Sequence, residues 1–241
     1  MLAVAFAAAG CGGSAHTTPG AAPPHKRACK AAYHAYASDR LAWAAIVRDR
    51  AVARRRPNGP TLAAFGRENV NGVPTVFSVR GARIDRTCRP AWYRVQLPIR
   101  PNGVTGWVRA TDVTVATVHT RIDVDLSTRT LTLFRSGRRV LTATVAIGSS
   151  ATPTPTGSFY VNQRLVPDDT SGPYGPGAVG ISAFSNVLTG WAQGGPIAIH
   201  GTNQPWSIGR AVSNGCVRVA NPVLRRLFRS ALAGTPVLIR P

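Results

Sequence analysis

Turn-forming residues recur at short intervals along this 241-residue chain, and they constrain its fold more than any other feature. The chain carries 24 glycines and 19 prolines, a share well above average usage. Short apolar segments lie between turn signals at residues 57–59, 71–72 and 101–103. Such spacing disfavours long helices and favours short strands. With 44% hydrophobic residues the chain can still build a core, so the sequence predicts a mainly β protein.

The charge of the chain is strongly basic. There are 29 lysines and arginines against 9 aspartates and glutamates, which gives a formal net charge of +20. A surface of this charge attracts polyanions, so nucleic acid and an anionic cell envelope are both candidate partners.

The N-terminal residues favour the cell envelope. Residues 1–10 are apolar or small, and this run is too short for a bilayer span of about 20 residues but fits the core of an export signal. Its small-small-Gly-Cys ending resembles the lipobox of bacterial lipoproteins, which implies acylation of Cys11. Residues 11–28 then predict a flexible tether. We expect an exported, lipid-anchored protein at the outer face of the membrane or in the wall, with no nucleic-acid partner.

A small β-domain is predicted over residues 29–117. Residues 30–47 predict one short helix, and several short strands follow, among them 76–79. The stretch WYRVQLPIRPNGVTGWVRATDV (92–113) resembles the end of a bacterial Src-homology-3-type domain. That resemblance implies a small β-barrel that binds the wall or acts as a spacer. The alternative, a β-domain that only packs against its neighbour, stays open.

A second domain is predicted over residues 120–241. Apolar and polar residues alternate from residue 122, and a turn at residues 136–137 predicts a β-hairpin. Residues 162–195 read as a long loop region, which in a compact domain is usually functional.

The end of the second domain predicts one helix between two short strands. Residues 196–199 form a buried strand that runs into His200. Residues 221–232 then predict the single late helix, with Asn221 as its N-cap and Pro222 in its first turn. A final strand follows that helix.

The four cysteines sort by position. Cys11 is the lipidation candidate, and Cys29 and Cys88 are predicted to form a disulfide in an oxidising compartment. Cys216 then has no cysteine partner. Its thiol is either buried and inert or reactive. Because Cys216 follows Gly215 at the end of a loop, backbone N–H groups there can face an incoming carbonyl oxygen, which favours the reactive thiol.

His200 is the base that such a thiol requires, because it is the one histidine of the second domain. One cysteine and one histidine are too few for a metal site. A base needs its second ring nitrogen fixed by an acceptor. No aspartate or glutamate follows Asp169, so a backbone carbonyl is the expected partner.

The stretch IHGTNQPWSIGRAVSNGCVRV (199–219) resembles the signature of the YkuD-type L,D-transpeptidases, His-Gly-Thr followed after a spacer by Ser/Thr-x-Gly-Cys-x-Arg. The segment VAIGSSATPTPTG (145–157) matches the family's upstream strand and turn. The resemblance implies a β-sandwich that holds the cysteine and histidine in a channel under a lid.

The resemblance also implies roles for single residues. Cys216 is the nucleophile, His200 the base and the Gly201 carbonyl the third member, while Ser213 shapes the site. The Gly215 and Cys216 N–H groups hold the oxyanion. Asn214 stands where many relatives have histidine, which leaves His200 as the sole base. The residues expected to contact substrate are Arg218, Asn214, Thr202 and Tyr174.

The implied function is that of a peptidoglycan L,D-transpeptidase. It would form an acyl-enzyme on a stem tetrapeptide, release D-Ala and transfer the acyl group to an amine of a neighbouring stem, without cofactor or metal. Stem peptides, carbapenem β-lactams and the membrane are the expected partners. The alternatives are a wall cysteine peptidase or L,D-carboxypeptidase, and a non-catalytic wall-binding lipoprotein. The wall peptidases have cysteine before histidine, whereas here His200 precedes Cys216.

Overall fold

The computed structural model describes residues 32–36, 38 and 40–241, and their strands form two large sheets. Within these residues the structure has one α-helix, so the predicted mainly β fold with a single late helix is confirmed. Residues 1–28, which we predicted to be a signal segment and a tether, lie outside the described part of the chain.

The first sheet has eight strands in the order β4-β3-β7-β6-β5-β2-β8, with β1 beside β5. All of its pairings are antiparallel, and its core is centred on Phe77, Val95 and Leu97. Its strands are β1 (Tyr33–Ala35), β2 (Ala42–Val47), β3 (Arg50–Arg54), β4 (Thr61–Gly66), β5 (Val76–Ile84), β6 (Pro90–Gln96), β7 (Thr105–Arg109) and β8 (Val113–Val118).

The helix predicted over residues 30–47 is wrong, because β1 and β2 occupy its described part. β2 lies between β5 and β8, so both of its edges are hydrogen-bonded to neighbouring strands. The ring centroids of Tyr36 and Trp43 lie 4.7 Å apart. These pairings across the sheet outweigh the local helix preference. The likeness of this sheet to a Src-homology-3-type domain stays a prediction.

The second sheet also has eight strands, in the order β11-β10-β9-β18-β13-β14-β15-β17, and a small parallel pair, β12 with β16, lies beside it. Its strands enclose one core with the helix α1 (Asn221–Ser230). The strands are β9 (Thr120–Asp125), β10 (Thr130–Arg135), β11 (Arg138–Thr144), β12 (Ile147–Gly148), β13 (Gly157–Leu165), β14 (Ala178–Phe184), β15 (Pro196–His200), β16 (Ala211–Ser213), β17 (Val217–Arg218) and β18 (Pro236–Arg240).

The hairpin predicted at residues 136–137 is confirmed, since β10 and β11 pair across this turn. The long loop predicted over residues 162–195 is only partly correct, because β13 extends to Leu165 and β14 crosses the middle of the segment. β14 is almost wholly buried between β13 and β15, so it lacks the polar alternation that marks a half-exposed strand. Two shorter loops remain. One is the 166–177 loop before β14, and the other, called the 184–195 loop below, begins at Phe184, the last residue of β14.

The helix α1 begins at Asn221 with Pro222 in its first turn, as predicted, but Asn221 is not its N-cap. The residue before the helix is Ala220, and no side chain caps the first turn. The Asn221 side chain instead accepts a hydrogen bond from the Thr202 N–H at 2.8 Å. The start of the helix therefore anchors the segment that follows β15.

Buried hydrogen bonds join the two sheets. The phenol of Tyr160, which is fully buried, donates to the Val76 carbonyl at 3.1 Å. The Gln96 side-chain amide donates to the Ser158 carbonyl at 2.9 Å. The first sheet is therefore packed directly against β13 of the second.

Candidate active site

His200 lies at the end of β15 and is only 4% exposed. Its Nδ1 lies 2.6 Å from the Gly201 carbonyl oxygen. A carbonyl can only accept, so Nδ1 carries the hydrogen and Nε2 is left as the basic nitrogen. The backbone thus fixes the tautomer that a general base needs.

The turn after His200 leaves no room for larger side chains. A Cβ at Gly201 would overlap the Asn221 Oδ1 and the Pro176 ring. The Thr202 hydroxyl accepts the Gln204 N–H at 2.9 Å, while the Thr202 N–H is held by Asn221. The His-Gly-Thr sequence therefore builds a rigid turn that holds the Gly201 carbonyl against the imidazole.

Cys216 lies at the end of a second rigid turn, built by Ser213. The buried Ser213 hydroxyl donates to the Cys216 carbonyl at 2.5 Å and accepts the Gly215 N–H at 3.2 Å. Gly215 has φ 109°, a conformation that L-residues with a Cβ rarely adopt. The glycine before the cysteine is thus required by the backbone.

The register of β15 and β17 brings the two turns together. β17 begins directly after Cys216 and runs parallel to β15, with His200 opposite Arg218. The Ala198 N–H donates to Cys216 Sγ at 3.4 Å. Ala198 and His200 are two residues apart and share one face of β15. β15 therefore carries the imidazole and, two residues earlier, the backbone N–H that holds the thiol.

Both groups are neutral at rest. Burial raises the pKa of the Cys216 thiol, and the Ala198 hydrogen bond and the Arg218 charge oppose this only in part. Burial lowers the pKa of His200 to about 4, with the hydrogen bond to Gly201 raising it and the Arg218 charge lowering it further. Near neutral pH the Cys216 thiol is therefore protonated and the His200 imidazole is neutral.

A cleft of about 540 Å³ opens in front of Cys216. Cys216 and Asn214 form part of its wall, and Tyr174 from the 166–177 loop forms another part. The Tyr174 ring is 49% exposed and lies edge-on to the His200 ring at 4.9 Å. The cleft is large enough for a peptide segment and reaches the thiol directly.

Comparison with known proteins identifies the fold that carries this site. The sequence model of the L,D-transpeptidase catalytic domain, YkuD, matches residues 119–239, which is half of the chain and contains both turns. The chain belongs to the YkuD family of L,D-transpeptidases.

One curated relative is the L,D-transpeptidase family protein YkuD of Bacillus licheniformis, 38% identical over 52% of this chain and 68% of that protein. Among solved structures, the Enterococcus faecium L,D-transpeptidase C442S mutant is 27% identical, with a TM-score of 0.38. The match covers 50% of this chain and about half, 49%, of that one. A Mycobacterium tuberculosis L,D-transpeptidase 3 with a faropenem-derived adduct is 16% identical over 69% of this chain and 91% of that one, with a TM-score of 0.42.

The residues predicted for the site fall into two groups in the structure. Cys216, Asn214 and Tyr174 line the cleft. His200 does not line it, but its ring contacts the Tyr174 ring. Thr202 and Arg218, which we expected at the substrate, do not line the cleft. Thr202 is buried in the turn after His200.

Arg218 acts on this YkuD site through its charge. Its Nη1 donates to the Gln204 side chain at 2.9 Å, and its buried Nε has no hydrogen-bond partner among the described residues. Its charge lowers the pKa of both Cys216 and His200. Arg218 therefore favours the thiolate and the neutral imidazole together.

One expected oxyanion donor is corrected. The Gly215 N–H is not directed at the cleft, because it donates to Ser213 Oγ. The sequence also gave no signal for the Ala198 N–H on the thiol, since a backbone donor carries no residue signature. Nor did it reveal that Asn221 holds the turn after His200.

The other cysteines fall outside residues 119–239 in the sequence. The structure records Cys88 as disulfide-bonded, whereas Cys29 and Cys11 lie outside the described residues. The pairing of Cys29 with Cys88 and the acylation of Cys11 therefore stay predictions. Across the described ranges, no three His, Cys, Asp or Glu side chains are grouped as they would be around a metal ion. None of the helices there is long and apolar enough to span a membrane.

Proposed function

We propose that this protein is a peptidoglycan L,D-transpeptidase that works through a Cys216 thioester. The observation that carries the proposal is a fixed imidazole tautomer on the strand whose backbone also holds Cys216, a residue that lines a cleft. Membership of the YkuD family supports the same reaction class.

In the first half-reaction Cys216 Sγ attacks the carbonyl between the third stem residue and the terminal D-Ala. His200 Nε2 takes the thiol proton as the S–C bond forms, because neither group is charged at rest. The imidazolium then gives that proton to the departing D-Ala amine as the C–N bond breaks. The products are a thioester and free D-Ala, with His200 neutral again.

The backbone of Cys216 supplies the oxyanion donor in this scheme. The Gly215 N–H is held by Ser213, which leaves the Cys216 N–H to stabilise the negative oxygen. A single preorganised donor of this kind contributes about 3 kcal/mol to the transition state. Ser213 keeps this donor in place through its bond to the Cys216 carbonyl.

In the second half-reaction the side-chain amine of a neighbouring stem enters the same cleft. The amine attacks the thioester carbon, His200 Nε2 removes a proton from the attacking nitrogen, and the C–S bond breaks. Cys216 recovers that proton from the imidazolium, and an amide crosslink has formed. Tyr174 and Asn214 are placed to contact the stem, because both line the cleft beside the thiol.

We further propose that the protein acts outside the cytoplasmic membrane, held by an acylated Cys11. The support is the apolar run before Cys11 and the tether after it. Mass spectrometry of the membrane fraction should find a diacylglyceryl group on an N-terminal Cys11. A mature chain that begins elsewhere would contradict the anchor without touching the catalytic proposal.

The catalytic proposal is tested with stem tetrapeptides and the full chain. Mass analysis should show loss of D-Ala and a crosslinked dimer of stems, and a carbapenem should add once, on Cys216. Cys216→Ala should abolish both results. Turnover that yields only free tripeptide would replace the transferase by a carboxypeptidase, and no reaction with either probe would refute the proposal.

A further inference from the structure

Two turns of the first sheet reach the wall of the cleft in the second. One is the 69–72 turn between β4 and β5, and the other is the 97–104 turn between β6 and β7. From the sequence both are simple turn signals. In the structure their side chains bond to residues 82 to 122 positions further along the chain.

Asn71 is the centre of the first contact. Its Nδ2 donates to the Gln163 Oε1 at 2.9 Å, and the Gln193 Nε2 donates to its Oδ1 at 2.8 Å. Asn69 adds a second hydrogen bond to Gln163, also at 2.9 Å. Asn71, Gln163 and Gln193 line the same cleft as Cys216.

The second turn holds the backbone of the 184–195 loop. The Arg100 Nη2 donates to the Ser185 and Gly194 carbonyls, both at 2.6 Å. Asn102 and the Phe184 backbone exchange two hydrogen bonds, at 2.8 and 2.9 Å. Both ends of the loop are therefore fixed to the first sheet.

The 184–195 loop needs such external support. Gln193, Gly194 and Gly195 are three successive residues with positive φ, at 57°, 79° and 69°. A non-glycine residue in this region costs free energy that the surroundings must offset. For Gln193 the offset includes the hydrogen bond of its own side chain to Asn71.

The loop in turn forms a large part of the cleft. Leu188, Trp191, Ala192 and Gln193 all line it together with Cys216. Movement of the loop would therefore change the shape of the space that receives an acyl donor. It would leave the His200 and Cys216 turns intact, because those are held by Gly201, Asn221 and Ser213.

We propose that the first sheet is a working part of the active site, with Asn71 and Arg100 as positioning residues. They hold the 184–195 loop as the wall against which the donor stem peptide binds, and this inference rests on the proposed transpeptidase function. The first sheet is then required for donor binding, whether or not it also contacts the bacterial cell wall.

The full chain carrying Asn71→Ala or Arg100→Ala tests this role. Acylation by a stem tetrapeptide and by a carbapenem should fall about tenfold in second-order rate, through weaker donor binding rather than a slower chemical step. Alkylation of Cys216 by iodoacetamide, which needs no cleft wall, should stay within about twofold of the unmodified chain. Arg94→Ala is the matched control, because this exposed arginine of the same domain bonds to Thr105 instead.

A double-mutant cycle isolates the contact between the sheets. Gln193→Asn tolerates the positive φ but is too short to reach Asn71. If the two residues act through one contact, the Asn71→Ala and Gln193→Asn double variant should acylate no more slowly than the worse single variant. Additive losses, or acylation at the rate of Arg94→Ala, would overturn the inference.

Hydrogen exchange keeps this test separate from the proposed reaction. Residues 184–195 should exchange at least about tenfold faster in Asn71→Ala and Arg100→Ala than in Arg94→Ala. Unchanged exchange would refute the positioning role even in an active enzyme. Faster exchange in a chain that no acyl donor modifies would uphold the positioning of the loop and reject the transpeptidase.

Discussion

At the scale of single residues, the site replaces the usual carboxylate partner of a catalytic histidine with a backbone carbonyl. The Gly201 oxygen fixes the tautomer of His200 without bringing a negative charge into the cleft. Burial is therefore the largest influence on the pKa of His200, and it lowers that pKa to about 4. In the proposed reaction, an imidazole of this kind is a neutral base that becomes charged only while it holds the thiol proton.

His200→Gln should therefore slow acylation by about two to four orders of magnitude, since general-base catalysis is lost. Asn214→Ala should cost less than about threefold, because an amide cannot exchange the proton. Carbapenem trapping with intact-mass detection measures both rates, and circular dichroism checks that each variant is folded. Equal losses in two folded variants would show that His200 is not the sole base.

The buried His200 should also make stability depend on pH. Its pKa is about 4 in the folded protein and near 6.5 when unfolded, so between these values only the unfolded chain takes up the proton. Stability should fall as the pH drops through this window, by about 3 kcal/mol at most. Urea unfolding at pH 7 and pH 4 measures the loss. The His200→Gln variant should lack the contribution of His200 to this loss of stability. An equal loss in both proteins would assign the effect to other groups.

At the scale of elements, the site depends on two short turns at the ends of β15 and β16. The sequence predicted most residues of these turns, because His-Gly-Thr and Ser-x-Gly-Cys are local sequence patterns. β14 was missed because a strand buried on both faces shows no alternation. The N–H of Ala198 on the thiol was missed because strand register, not residue type, places it.

Gly215→Ala tests whether the turn before the thiol must adopt its observed backbone. The φ of 109° should strain an alanine by about 1–3 kcal/mol, and the new Cβ would lie 3.0 Å from Ile197 Cδ1. Gly137→Ala is the matched control, because that glycine also has positive φ but lies at the β10–β11 hairpin. Both variants should lose thermal stability, and only Gly215→Ala should also lose most carbapenem acylation. Equal acylation would mean that the turn tolerates a change of backbone.

At the scale of the whole molecule, the two sheets act as one unit because side chains of one bond to the backbone of the other. Arg100 and Asn102 bond to backbone groups of the 184–195 loop, and Gln96 bonds to Ser158. The sequence predicted these turns correctly but not their partners. A turn residue such as Asn102 is favoured by local conformation, and nothing local specifies a carbonyl 82 residues away.

Tyr160→Phe tests how strongly the sheets are joined. The Tyr160 phenol is wholly buried and donates to the Val76 carbonyl of the other sheet, so the variant leaves a buried acceptor unsatisfied. We expect the free energy of unfolding to fall by about 1–3 kcal/mol in a urea titration. Tyr33→Phe is the control, since the exposed Tyr33 phenol donates to the Arg80 carbonyl within the first sheet and should cost well under 1 kcal/mol. A smaller loss for Tyr160→Phe than for Tyr33→Phe would mean that this bond does not couple the sheets.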